Sequence, residues 1–268
     1  MLKNKLRLIF ARFFSKIIAF GLRFYLYFIS YDHLTLIYTP GKVGSASIYN
    51  NLKKFRVNNI FHLHYLNPLN IKNQIALENN SDRKSIPFHL ILSIALHEKL
   101  KLFKKIDIIC LSRNPYQRHI SSYFQNIYRD KKNFLQDDFL DENYIVGKLK
   151  KSLPFAAKEM DYWFDTELKH VFNIDIFKEF KENNIINCIQ KNNITVHFMK
   201  TEDLNDKNQS NLIMKIIGKN LTNKYIPIKK INDSSKRFYS NQYISIKNQL
   251  NLLEIKLELF KVNTKIYK

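Results

Sequence analysis

Apolar residues recur along this chain in two periods, and the alternation between them lays out the expected elements. Leu34-Thr35-Leu36-Ile37-Tyr38 is a short, almost unbroken apolar and β-branched run, the pattern of a buried strand. Behind it the period changes to that of a helix, with Ile48, Leu52 and Phe55 on one face. Residues 59–66 read as a second strand, in which alternation puts His62 and His64 on the same side. Pro87 to Lys104 has helical spacing with one break. Ile106 to Leu111 is a further strand; Pro115 stops it, and Ile120, Tyr123, Phe124 and Ile127 share a face of the helix that follows. Residues 193–200 form another apolar strand. Residues 240–262, with Ile244, Leu250, Leu253, Leu257 and Phe260, predict a terminal helix packed on the domain. Strands alternating with helices predict one α/β domain, a mostly parallel sheet flanked by helices.

Two stretches break the pattern. Residues 129–160 are polar and charged and read as a lid, an acceptor-side loop or a plain solvated loop. Asp137, Asp138, Asp141 and Glu142 there match no metal-loop spacing. The next helix is expected to start near Met160, with Asp161 in the capping position. Trp163, the only tryptophan, reads first as a packing residue and second as a platform that stacks a sugar ring, and Asp165 and Glu167 as candidates for hydroxyl binding or acid–base work. Residues 1–30 form a basic amphipathic segment. Leu2, Leu6, Ile9, Phe10, Phe13 and Ile17 follow helical spacing, with Lys3, Lys5, Arg7, Arg12, Lys16 and Arg23 among them. The longest uncharged run, Ile17 to Leu22, is too short to span a bilayer, and no small-residue cleavage site follows. Two readings of the segment stand side by side: a helix lying on an anionic membrane face, and a helix packed on the domain.

Composition narrows the class. With 45% hydrophobic and 14% aromatic residues in a chain of 268, a sizeable core is available, and the aromatic content argues against disorder. The net charge of +21 points to anionic partners. Lys, Asn and Ile are abundant throughout, so part of that charge is background. No zinc-finger spacing, RNP-type run or basic region with heptads is present, and nucleic acid is not an expected partner. Cys110 and Cys188 lie far apart in apolar stretches and read as buried thiols in a reducing compartment.

The chemistry concentrates between the first strand and its helix. Pro40-Gly41-Lys42-Val43-Gly44-Ser45-Ala46-Ser47 carries two of the chain's five glycines. A strand, a glycine turn with one lysine and a helix N-terminus make an anion site, because unpaired N–H groups and the helix dipole converge there. It is not a Walker A loop, in which lysine follows the last glycine; here Lys42 precedes Gly44. A second cluster lies downstream. Arg113-Asn114-Pro115 ends the strand from Ile106, and Ser121 follows Arg113 by eight positions. Arginine offers a planar fork for phosphate and serine one short donor. Arg118 reads as a solvated helix residue rather than a ligand. His62 and His64 are candidate general bases near neutral pH; as metal ligands they lack a third partner at a matching spacing.

Lys42-Val43-Gly44-Ser45-Ala46-Ser47, paired with the Arg113-Asn114-Pro115 cluster and Ser121, resembles the donor site of sulfotransferases that use 3'-phosphoadenosine 5'-phosphosulfate (PAPS). More narrowly, the phrases around His62-Leu63-His64, Asn114 to Asn126 and Trp163 to Leu168 are similar to bacterial capsular polysaccharide synthesis proteins. The likeness runs from about residue 34 to 250. It departs at Ala46, where many relatives carry a hydroxyl.

The resemblance implies a P-loop NTPase-like sulfotransferase fold, with residues 31–268 as one catalytic domain. It implies PAPS as donor co-substrate with no metal, and a glycan or glycolipid hydroxyl as acceptor. Gly41, Lys42, Val43, Gly44, Ser45, Ala46 and Ser47 would line the phosphosulfate, with Lys42 also serving catalysis. Arg113 and Ser121 would hold the 3'-phosphate. A late basic residue, Lys236 or alternatively Arg237, would close the site. His64 is the expected base and His62 its alternate. Lys200-Thr201-Glu202-Asp203-Leu204 resembles a late strand exit that frames the fold. The implied setting is the cytoplasm, with peripheral contact at the inner face of the cell membrane. Two rivals remain: a P-loop-like kinase, and a non-catalytic basic module that binds nucleic acid or membrane.

Overall fold

The computed structural model describes residues 17–80, 86–129 and 142–217. Helix α1 (residues 17–28) leads into β1 (His33–Tyr38), followed by α2 (Ser45–Lys54), β2 (Ile60–Leu63), α3 (Pro68–Asn80) and α4 (Phe88–His97). Then come β3 (Lys105–Ser112), α5 (Pro115–Arg129) and α6 (Glu142–Trp163), which passes through a π-helical turn (Phe164–Lys169) into α7 (His170–Phe172). A short α8 (Ile176–Glu179), the strands β4 (Asn187–Lys191) and β5 (Ile194–Lys200), a 3-10 turn (Thr201–Asp203) and α9 (Asp206–Ile217) complete the described chain.

The strands form one sheet in the order β2-β1-β3-β5-β4. Four run parallel, and β4 joins the edge antiparallel to β5. The architecture is thus α/β with a mostly parallel five-stranded sheet. Central strands of such a sheet are covered on both faces and must be apolar on both, and β3 is buried at every position after Lys105. One face carries Leu34, Leu36, Tyr38, Ile108, Cys110, Val196 and Phe198 against α4, α6 and the π-helical turn. The other carries Ile37, Ile109, Leu111 and Met199 against α2 and α9. A third cluster joins α5 to α6 through Ile120, Ile145, Leu149 and Leu153.

Several sequence expectations change here. The stretch read as a loop over residues 129–160 is helix α6 from Glu142 onward, held by that third cluster. No helix starts at Asp161, which lies inside the continuous α6. Strand β4 escaped the periodicity because an edge strand needs only one apolar face; Asn187 and Ile189 are buried while Cys188 and Gln190 are exposed. Asn192, at φ 52°, makes the hairpin turn into β5. Cys110 is buried as expected, but Cys188 is exposed, with His197 Nδ1 3.6 Å and Lys215 Nζ 3.4 Å from its sulfur. Helix α1 packs on the domain through Leu26. Among the described residues no helix is long and apolar enough to cross a membrane.

Candidate functional site

β1 exits the sheet beside the point where the strand order reverses, with β2 on one side and β3 on the other. Ligands of open α/β sheets bind in the crevice that this reversal leaves at the carboxyl ends of the strands. The loop from Thr39 to Gly44 lies there. Thr39 is fully buried; its amide donates to Leu63 O at 3.3 Å and its hydroxyl to Ser45 Oγ at 3.3 Å. Gly44 takes a left-handed φ of 78° and caps α2. Lys42 also lies in the left-handed region, at φ 70°. For a residue with a Cβ that conformation costs about 1–2 kcal/mol, so the surroundings must impose it.

They impose it by holding the loop's carbonyls. Arg118 Nε donates to Gly41 O at 3.1 Å, and Arg113 Nη1 donates to Lys42 O at 3.3 Å. Thr201 Oγ1 lies 2.8 Å from Val43 O and 2.6 Å from Ser112 O. Three consecutive carbonyls are thereby turned toward α5, β3 and the exit of β5. The amides of Ser45 and Ala46, at the start of α2, have no intrahelical acceptor. Among the described residues the N-terminus of α2 has no side-chain cap, and its first turn carries no acidic residue. That arrangement suits an anion, which would supply the missing acceptor. Val43 turns its side chain into the core, so it can contribute only backbone. Ser47 donates its hydroxyl to Gln209 Oε1 at 3.1 Å and its amide to Gly44 O at 3.3 Å; both groups are engaged in the fold. Ala46, where a hydroxyl was missed, is half-buried.

The second cluster is built by capping. Asn114 Oδ1 accepts from the amides of Tyr116 and Gln117, at 3.0 and 3.2 Å, and Pro115 occupies the first position of α5. These are the residue types a helix start selects. Glu202 Oε1 accepts from the Asn114 amide at 2.7 Å and ties this corner to the exit of β5. Arg113 therefore stands at the end of β3 against the loop. Ser121 lies half-buried on α5. Arg118, expected in solvent, is only 16% exposed, because Gly41 O and Glu159, 3.6 Å from Nη1, draw it inward. Lys236 and Arg237 lie outside the described residues, as do Asp137, Asp138, Asp141 and the terminal helix over 240–262.

The histidines stand next to the loop. His62 Nε2 is 2.8 Å from Ser45 Oγ. His64 Nδ1 donates to Thr39 O at 2.8 Å, which leaves Nε2 as the acceptor nitrogen. The two rings lie 5.1 Å apart, and His89 is 6.3 Å beyond His64. Burial, with the charge repulsion of His64 and His89, pushes the pKa of His62 down to about 4. Burial and the nearby Arg118 charge lower that of His64, against the Thr39 hydrogen bond. Both rings are thus neutral near pH 7, the form that accepts a proton. Among the described residues no group of three His, Cys, Asp or Glu side chains is placed to hold a metal ion.

Trp163 is 5% exposed and donates its indole N–H to His64 O at 2.8 Å. It packs, as expected, and fixes the exit of β2. Glu167 is not an accessible acid or base. It is fully buried and accepts from the Leu66 amide (2.8 Å), the Asn67 amide (2.9 Å), Asn70 Nδ2 (2.6 Å) and the Tyr38 hydroxyl. Burial raises its pKa above the usual carboxylate value, opposed by these hydrogen bonds. Asp165 is exposed and pairs with Lys169 at 3.6 Å. A cavity of about 240 Å³ bounded by Asn173, Asp175, Lys181 and Lys191 lies at the β4 edge and shares no residue with the loop cluster.

Sequence reasoning gave Thr201 only a place in the strand exit that frames the fold, and it passed over Glu159. Thr201 had one visible signal, its place directly after an apolar strand. Glu159 had none, since its partners Arg118 and His119 lie on another helix. No family model, no curated protein and no solved structure matches this chain.

Proposed function

We propose that this chain is a sulfotransferase on a P-loop-like fold, moving a sulfuryl group from PAPS to a hydroxyl of a glycan or glycolipid in capsular or surface polysaccharide biosynthesis. One observation carries the reading: the carbonyls of Gly41, Lys42 and Val43 are tied back by Arg118, Arg113 and Thr201 over an uncapped helix N-terminus. Such a loop fits a compact anion that brings its own acceptor oxygens, as a phosphosulfate does. Bound there, the donor supplies the sulfuryl group: the acceptor oxygen–sulfur bond forms as the bond from sulfur to the bridging phosphate oxygen breaks.

The chain's residues do the rest. Lys42 and the first amides of α2 neutralise charge that builds on the leaving phosphate. Arg113 and Ser121 hold the 3'-phosphate, with Lys236 as a late contact. His64 takes the acceptor's proton at Nε2, oriented by its Nδ1 bond to Thr39 O. His62 is the alternate base, and its bond to Ser45 makes it the weaker candidate. The protein works in the cytoplasm, with residues 1–30 against the inner face of the cell membrane.

The test is a calorimetric titration with 3'-phosphoadenosine 5'-phosphate, beside ATP and AMP. Saturable binding of the 3'-phosphorylated ligand alone is expected, weakened at least about tenfold in Arg113→Ala and in Lys42→Ala, since each removes a charge-assisted contact worth about 1.5–3 kcal/mol. Equal response to ATP would move the assignment to a kinase. Absence of any nucleotide binding would move it to a non-catalytic basic module.

A further inference from the structure

Helix α1 carries two apolar faces, and among the described residues only one has a partner. Leu22, Leu26 and Ile29 pack into the main core, and Leu26 has no exposed surface. Successive residues turn by about 100° around a helix, so Ile17, Phe20, Phe24, Tyr27 and Phe28 gather on the opposite side. They are 50%, 73%, 60%, 70% and 67% exposed. No charged side chain interrupts that face, and Gly21 lies within it. Phe28 contacts Phe24 and Tyr27 edge-on, at 4.7 and 5.4 Å between ring centres. The rings leave roughly 500 Å² of apolar surface in water, about what the largest patch of an ordinary monomer reaches.

Charge selects what covers it. The segment from Met1 to Ser30 carries Lys3, Lys5, Arg7, Arg12, Lys16 and Arg23 and no acidic residue. With a net charge of +21, a second copy of the chain is repelled, whereas an anionic surface is attracted. Tyr27 gives the exposed side an amphipathic ring of the kind that favours the headgroup level.

We propose that this aromatic face of α1 is a membrane-docking surface: the helix lies in the plane of an anionic bilayer, its rings at the boundary of headgroups and acyl chains. The two readings of this segment from sequence then hold together, because Leu26 fastens the helix to the domain while Phe20, Phe24 and Phe28 meet lipid. The inference names the surface behind the peripheral location in the proposed function and rests on none of its donor chemistry.

The test is sedimentation of the full chain with vesicles of phosphatidylcholine alone and of phosphatidylcholine with phosphatidylglycerol. Binding is expected with the anionic vesicles, weakened by salt. The triple change Phe20→Ser, Phe24→Ser and Phe28→Ser is expected to lower the partition coefficient at least about tenfold. The variant's thermal midpoint and its response to 3'-phosphoadenosine 5'-phosphate are expected to stay at the wild-type values. Phe20→Ser alone, at the most exposed ring, serves if the triple variant fails to fold. Absence of binding to anionic vesicles, or binding that the serine changes leave untouched, overturns the proposal. So does a wild-type dimer that the variant dissociates, which would make the face a contact between copies. Failure to bind any nucleotide would overturn the sulfotransferase reading alone.

Discussion

Replacing Glu167 separates a structural carboxylate from a catalytic one. Its oxygens accept from two backbone amides, one side-chain amide and one tyrosine hydroxyl, at a position with no exposed surface. Glu167→Ala strands the Leu66 and Asn67 amides and the Tyr38 hydroxyl; Asn70 keeps its bond to Thr166 Oγ1 at 2.9 Å. A buried donor left unsatisfied costs about 1–3 kcal/mol. Three of them, with the vacated volume, predict a loss of about 4 kcal/mol or more, a large part of the 5–15 kcal/mol typical of a domain. Glu167→Gln keeps one acceptor oxygen for the backbone amides, and a turned Asn70 amide can accept from the new NH₂. The charge assistance and the Asn70 donation to Thr166 Oγ1 are lost, so a drop of about 2 kcal/mol, still smaller than that of Glu167→Ala, is expected. Urea unfolding followed by fluorescence suits the question, because the only tryptophan, Trp163, lies 5.1 Å from Tyr38 between ring centres. Asp165→Ala, two residues away and 54% exposed, is the control, with a change within about 0.5 kcal/mol. A Glu167→Ala protein within about 1 kcal/mol of wild type, yet devoid of the proposed sulfuryl transfer, would refute the structural role and restore the acid–base one.

Thr201→Val keeps the shape but removes the hydroxyl that meets Val43 O and Ser112 O. It is expected to cost about 1–2 kcal/mol of stability and to weaken 3'-phosphoadenosine 5'-phosphate severalfold by calorimetry; unchanged affinity would show that the loop does not depend on this tie. Asp107 tests acid stability. Burial opposes its ionisation, but hydrogen bonds from His197, His33 and Lys105 prevail and hold its carboxyl far below the usual range. A folded-state value below the unfolded one of about 3.9 gives stability that is present above that pH and lost as the pH falls below it. Asp107→Asn is therefore expected to be less stable near neutrality, with a flatter decline below about pH 4 in acid titrations followed by circular dichroism; a decline as steep as that of wild type would refute the assignment.

What was legible in the chain was local. The run from Leu34 to Tyr38, the glycines around Lys42 and the spacing of Ile48 and Leu52 lie within one βα unit, where neighbours in sequence are neighbours in space. The strand ending at Arg113 and its cap by Asn114 belong to the same kind of signal. Edge strand β4 and the helix through residues 142–163 were less visible, because their apolar faces are defined by β5 and α5 rather than by their own period. Tertiary structure alone decided the remainder. Arg118 leaves solvent because Gly41 O and Glu159 converge on it from other elements. Glu167 becomes a buried scaffold because β1, the exit of β2 and α3 present their donors to it across about a hundred residues of chain. Thr201 closes the loop for the same reason. Periodicity and capping act over a few residues, so sequence carries them openly. A hydrogen bond between distant segments depends on where the sheet brings them, and no local pattern records its partner.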